Sequence, residues 1–311
     1  MTRTTAWRLA QAAIVVAVLW FVARKIGEQW AEFSALWRTL EPNYALLAAS
    51  ALVVLASYVV LIWTWQHTVR AWGERLGFRD AARIWFVSNL GRYVPGKVWQ
   101  IGAMGMLAQR VGVSPVAAVG SSLVVSIVNV LAGAAVAAIA SAGNVDAPSW
   151  ALPATMALAC GVVAAPWLLP VVVRTASAVL RRELRVPSLP HSAIWIAALG
   201  CTAAWVMYGV AFRWMHIALI GHATGTLSGS TAAFTASYLV GFLVLLAPGG
   251  IGVREYALIP MLDRFGIATG GEALLIVLGS RLWLTILEVL PGVLFLLFRR
   301  GPTAPTSASS E

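Results

Sequence analysis

Apolar residues in this chain come in long unbroken runs, neither alternating as in a strand nor confined to one stripe as in a soluble helix. A helix that crosses a membrane needs about 20 such residues. Six runs meet or approach that length: Trp7–Ala23, Tyr44–Trp65, Pro115–Ala142, Trp150–Val173, Ala193–Ile220 and Ala273–Phe298. Trp7, Trp20, Trp63, Trp65, Trp150 and Trp214 lie near run ends, where an interfacial aromatic belt puts them. No small-x-small cleavage pattern follows the first run, which passes straight into Arg24 and Lys25. It therefore reads as a retained anchor helix. In the next stretch, Ile26, Trp30, Phe33, Trp37 and Leu40 fall at helical spacing, which predicts a helix lying in the interface.

Two regions do not read as simple crossings. Residues 83–111 are interrupted by Gly91-Arg92-Tyr93-Val94-Pro95-Gly96-Lys97. Residues 227–265 are interrupted by Pro248-Gly249-Gly250-Ile251-Gly252. Proline removes a helical hydrogen bond and glycine loosens the backbone, so each region is expected to form a helix, a break and a second helix. Unwound backbone at membrane depth is tolerated only inside protein or beside a water-filled cavity. Each break is thus a candidate site.

Basic residues suggest the orientation. Arg70, Arg75, Arg79 and Arg83, then Arg174, Arg181, Arg182 and Arg185, with Arg3, Arg8, Arg299 and Arg300, are assigned to the cytoplasmic side. The loops 143–149 and 221–226 carry no basic residue and are assigned outside. These assignments agree only if both broken regions are re-entrant hairpins, the first dipping from the cytoplasm and the second from outside. The expected fold is all-α: a multi-pass inner-membrane protein with cytoplasmic termini, six spans and two re-entrant hairpins. Residues 1–142 and 150–298 then form two halves related as an inverted repeat, and 301–311 form a disordered tail. The alternative is that 227–247 simply spans, which moves Arg299 and Arg300 outside.

Composition agrees with a membrane protein. Of 311 residues 60% are hydrophobic and 11% charged, against about 45–50% and 25% in soluble domains. The net charge of +10 therefore reflects orientation rather than nucleic-acid binding. Cys160 and Cys201 have no disulfide or metal-ligand pattern, and the four histidines are scattered. Gly91-x4-Gly96-Lys97 matches a nucleotide P-loop up to the lysine, but Val98 stands where the magnesium-binding Ser or Thr belongs, and no βαβ pattern surrounds it. No catalytic constellation, metal or cofactor is expected.

Charges within apolar runs are costly and usually face a cavity or a partner. Lys97, Arg254, Glu255, Arg281 and Glu288 are such charges, and Arg92 stands beside the first break. Arg281 and Glu288 are seven residues apart, which puts them on one helix face about 10 Å apart. That separation excludes an ideal direct pair, so each is expected to meet another segment. Lys97, Arg254 and Glu255 open the second arms of the hairpins. Helix starts carry free N–H groups and a positive dipole end, which suit an anion such as a lipid phosphate. The alternative is that the charges only form internal Arg–Glu pairs.

Ser88-Asn89-Leu90-Gly91-Arg92-Tyr93-Val94-Pro95-Gly96-Lys97-Val98-Trp99 resembles a signature of the lysylphosphatidylglycerol synthase transmembrane family of flippase-like proteins. Ala247-Pro248-Gly249-Gly250-Ile251-Gly252-Val253-Arg254-Glu255 resembles its second signature, and Arg281 through Glu288-Val289-Leu290-Pro291-Gly292 its last helix. The resemblance implies movement of lipids between leaflets, with an aminoacylated phospholipid or a polyprenyl-linked glycan as cargo. Synthase activity is not implied, because no catalytic domain accompanies the helices. Membrane lipids are the expected partners, with a lipid-modifying enzyme or glycosyltransferase as a further candidate and no nucleic acid. The leading expectation is an ATP-independent lipid translocase whose substrate meets Arg92, Lys97, Arg254 and Arg281, with Glu255 and Glu288 neutralising the cations when the site is empty. Transport of a small soluble anion, or a non-transporting role beside a lipid-modifying enzyme, are the alternatives.

Overall fold

The structure, a computed structural model, describes residues 40–93, 98–142, 189–222, 224–243 and 252–298, with single positions 160, 161, 164, 167 and 250. Among them there are eight α-helices and no strand. They are α1 Tyr44–Ala71, α2 Phe78–Leu90, α3 Val98–Arg110, α4 Pro115–Ala142, α5 His191–Ile220, α6 Leu227–Leu243, α7 Val253–Arg264 and α8 Gly270–Leu297. A 3₁₀ turn, Gly91–Tyr93, follows α2. Of the six expected spans, α1, α4, α5 and α8 are long and apolar enough to cross a membrane. The runs Trp7–Ala23 and Trp150–Val173, the interfacial stretch and the tail lie outside the described residues. The four helices run to 28–30 residues, or about 42–45 Å at 1.5 Å per residue. That exceeds the roughly 30 Å hydrocarbon core, so they tilt or project beyond it.

Each interrupted region contains two helices packed on each other, α2 on α3 and α6 on α7, and residues 94–97, 244–249 and 251 between them lie outside the described residues. Local chemistry sets the helix ends. Asn43 caps α1 by accepting from Leu46 N–H at 3.0 Å. At the other end of α1, Gln66 Nε2 and Arg70 Nε both donate to the Leu76 carbonyl, at 2.8 and 2.9 Å, and close the loop into α2. Glu74 Oε1 then accepts from Ser114 N–H at 3.2 Å and ties that loop to the start of α4.

α1 and α5 form the central seam, packing along each other over their length. Gly200 lets Thr64 sit against the α5 backbone where a Cβ would collide, the small-residue approach typical of membrane helix pairs. Ser50 Oγ donates to the Ala211 carbonyl across this seam at 2.8 Å. Asn43 N–H donates to the Ala218 carbonyl at 2.9 Å, so the start of α1 meets the end of α5 and the two are antiparallel. Tryptophans pin α4 to the seam: Trp65 Nε1 donates to the Ala118 carbonyl and Trp205 Nε1 to the Asn129 carbonyl. The remaining pairings match when α1 to α4 are set against α5 to α8. α4 packs on α6 as α2 packs on α8; α1 on α2 as α5 on α6; α3 on α4 as α7 on α8; α1 on α4 as α5 on α8. Large apolar side chains such as Leu52, Leu199, Leu282, Ile286 and Leu290 point outward, the pattern of a surface meeting lipid rather than water.

Candidate functional site

The two breaks meet at Tyr238 of α6. Its ring lies beneath the Arg254 guanidinium, with Cζ 4.9 Å from the ring centroid. Its hydroxyl lies 3.4 Å from Arg92 Nη1. Arg92 comes from the 3₁₀ turn at the first break and Arg254 from the first turn of α7 after the second. One aromatic side chain thereby joins the two interrupted regions.

Glycines permit this geometry. A Cβ on Gly91 would come within 2.9 Å of the Gln100 backbone nitrogen, so the arms of the first broken region cross at that position. A Cβ on Gly241 would come within 2.8 Å of Arg254 Cβ, so the second pair of arms crosses there. Gly252 starts α7 at φ 82°, a left-handed conformation that L side chains rarely adopt.

Around the first break, Arg92 Nη1 donates to Glu288 Oε1 of α8 at 2.9 Å. Arg92 Nη2 lies 3.3 Å from Asn89 Oδ1, which also accepts from Gln100 Nε2 at 2.6 Å. Asn89 is thus a hub that ties Arg92 to both arms. Around the second break, Glu255 Oε2 accepts the Gly252 N–H at 2.6 Å, the returning half of a capping box. Its Oε1 lies 3.6 Å from Arg281 Nε, an ion pair beyond hydrogen-bond length. The expectation that Arg281 and Glu288 each meet another segment is therefore met, by Glu255 and Arg92 respectively.

Arg254 belongs to neither ion pair. It is 5% exposed, and its Nη2 has no hydrogen-bond partner. Its guanidinium lies over both Phe234 and Tyr238, neighbouring rings of α6, 4.9 Å from each ring centroid. Two desolvated cation–π contacts contribute about 2 kcal/mol each. Burying a single charge costs several kcal/mol even after relaxation, and a charge left unpaired is worse. The two rings orient the cation without giving Nη2 a partner.

Of the six charged residues singled out in the sequence, five are brought to this region: Arg92, Arg254, Glu255, Arg281 and Glu288. Lys97 lies outside the described residues. Asn89, Gln100, Tyr238 and Phe234 were not anticipated as parts of the site. Asn89 stands within the first signature, and its position one turn before Arg92 is the signal that could have found it. No group of His, Cys, Asp and Glu suited to a metal occurs among the described residues.

A family model described as the lysylphosphatidylglycerol synthase TM region matches residues 8–292. The chain belongs to that family. The match takes in both breaks and the charged face of α8, so the geometry around Tyr238 lies within the family's membrane domain. Together with its long apolar helices, membership makes the chain a multi-pass membrane protein. No curated protein matches the chain.

Proposed function

We propose that this member of the lysylphosphatidylglycerol synthase transmembrane family is a lipid translocase that binds an anionic headgroup between its two halves and carries it across without ATP. The observation that carries this reading is Arg254: a buried guanidinium at the junction of the two breaks, held by two rings and lacking a partner for one donor. No carboxylate among the described residues forms an ion pair with it, and an arriving anion would supply that counter-charge. Arg92 and Arg281 have side chains 24% and 22% exposed, open enough to pass a headgroup on, while Glu288 and Glu255 hold them when it is absent. Lys97 is included in the same set from the sequence alone.

The topology belongs to this proposal. Six spans and two re-entrant hairpins form an inverted repeat with both termini cytoplasmic, in the inner membrane. The paired helix contacts support it, because each pairing in one half has its counterpart when α1 to α4 are exchanged with α5 to α8. Interrupted helices at matching positions of two such halves are where transporters place their substrate. The acyl or prenyl tail stays in lipid, so only the headgroup needs shielding. No chemistry on the lipid is required, and the chain is read as a carrier rather than an enzyme.

Leaflet transfer tests the reading directly. Reconstituted protein is expected to equilibrate an anionic reporter lipid between leaflets, and Arg281→Ala to abolish transfer while still inserting and folding. Full transfer by a well-folded Arg281→Ala protein would remove Arg281 from the site. Absence of transfer by the wild type for every anionic lipid offered would shift the reading to a soluble anion or to a partner of a lipid-modifying enzyme.

A further inference from the structure

Two of the described helices bridge the interrupted regions. α4 packs on α3 of the first and on α6 of the second, and α8 packs on α2 of the first and on α7 of the second. The two bridges are built differently. α4 is pinned near its start by Trp65 Nε1, which donates to the Ala118 carbonyl at 3.2 Å, and in its middle by Trp205 Nε1, which donates to the Asn129 carbonyl at 2.9 Å. Its one proline, Pro115, is its first residue, where no intrahelical bond is lost. α8 carries Pro291 in its interior. A proline there has no N–H for the carbonyl four residues back, that of Leu287, and its ring pushes against the same carbonyl. The turn 287–291 of α8 therefore lacks its bond, and Glu288 lies inside that turn.

The contacts of α8 sort on either side of that turn. Before it, Gly279 lies against Leu219 of α5, where a Cβ would come within 2.7 Å, and Arg281 faces Glu255 of α7. Beyond it, Gly292 lies against Leu90 of α2, where a Cβ would come within 3.0 Å, and Phe295 stacks on Phe86 of α2 at 6.1 Å. Buried residues crowd 271–284, while beyond the turn Gly292 alone is buried. The helix is thus embedded on one side of the unbonded turn and lightly held on the other. Hinges form where a few residues absorb the backbone change between two such bodies. We propose that α8 is a jointed strut: residues 270–286 and 291–297 turn against each other about 287–291. The arms α6 and α7 move with the former and α2 and α3 with the latter, while α4 is the unbroken strut about which they turn. The joint carries Glu288, so the same turn shifts the carboxylate that holds Arg92 at 2.9 Å. The joint stands independently of the translocase reading, which rests on Arg254.

The test is the distance between pairs of spin labels, read by double electron–electron resonance on the full chain in phosphatidylcholine nanodiscs with Cys160→Ser and Cys201→Ala. One pair, Gln109→Cys with Asp263→Cys, joins exposed positions on α3 and α7. A second, Leu297→Cys with Asp263→Cys, joins α8 beyond the joint to α7. A turn of about 20°, the size of a proline kink, moves the far end of the 13-residue α3, about 20 Å long, by about 7 Å. The same turn moves Leu297, about 9 Å past Pro291, by about 3 Å. With Pro291 in place, both pairs are expected to show distances spread over about those ranges. Pro291→Ala, which restores a donor to the Leu287 carbonyl, is expected to narrow both to a single distance. A single narrow Gln109–Asp263 distance with Pro291 in place overturns the proposal without any further variant. So does a broad one beside a narrow Leu297–Asp263 distance, since the arms then move without α8. The reverse is fraying of the α8 end and overturns it too, as does a well-folded Pro291→Ala protein that keeps the spread. Lipid transfer is not measured, so the outcome stands whichever way the translocase reading falls.

Discussion

The two breaks use similar residue types to different ends. At the first, Arg92 reaches across to Glu288 on α8 of the opposite half, and Asn89 and Gln100 hold it there. At the second, Glu255 turns back on its own helix start and meets Arg281 of its own half, while Arg254 is stacked on rings and left with an unsatisfied donor. The first break is a connection between the halves. The second holds a cation that its neighbours have positioned but not paired, the receptor of the proposed function. An arginine next to a glycine-rich break therefore does not by itself identify a ligand site. What distinguishes the two is whether a carboxylate has already taken the cation.

The contrast is broken most directly at the connection. Arg92→Ala leaves Glu288 without that partner, and Glu288→Ala does the converse. Each is expected to lower stability by about 1–3 kcal/mol, less than for a fully buried pair because Arg92 is partly exposed. The double variant should recover part of that loss, and a thermal-unfolding double-mutant cycle measures it. Additive losses would mean that the pair does not link the halves. Arg254 should behave in the opposite sense: Arg254→Met, which removes the buried charge and keeps the bulk, should match or exceed wild-type stability in ligand-free detergent while losing anion binding. A large loss of stability there would mean that Arg254 is structural.

Glycine substitutions sharpen the comparison at a smaller scale. Gly91→Ala and Gly241→Ala each place a Cβ within 3 Å of the facing arm, and each is expected to cost about 1–3 kcal/mol through overpacking. Gly241→Ala should also weaken anion binding, because the atom it strikes is Arg254 Cβ, whereas Gly91→Ala should act on stability alone. The smallest effect belongs to Glu255→Gln. The amide oxygen can still accept the Gly252 N–H, so what is lost is the charge facing Arg281 at long range and, more distantly, Arg254, for about 1 kcal/mol. Stability curves and binding isotherms on the same preparations separate these cases.

Much of this was legible in the sequence, for a physical reason. Long apolar runs interrupted by Pro and Gly mark helices and breaks without reference to tertiary structure, so α4 has the expected bounds and α5 and α8 start only two or three residues early. α1 runs on from Trp65 to Ala71, where the composition turns polar, because Gln66, Thr68 and Val69 are buried against the rest of the fold. Charges such as Arg254 and Glu288 stand out against apolar neighbours. Their neutral partners do not: Tyr238 and Phe234 read as packing residues, and Asn89 and Gln100 as ordinary polar positions. Which cation each carboxylate takes depends on how α8 crosses the two breaks, and no spacing along the chain encodes that crossing.

The central claim is that Arg254 is the open receptor for an anionic headgroup. It is tested most directly by mass spectrometry of the lipids that copurify with the wild type and with Arg254→Gln, against the lipid of the membrane they came from. The account predicts an anionic phosphodiester lipid enriched in the wild type and lost from the variant at equal folded yield. The same bulk lipid mixture in both would contradict it.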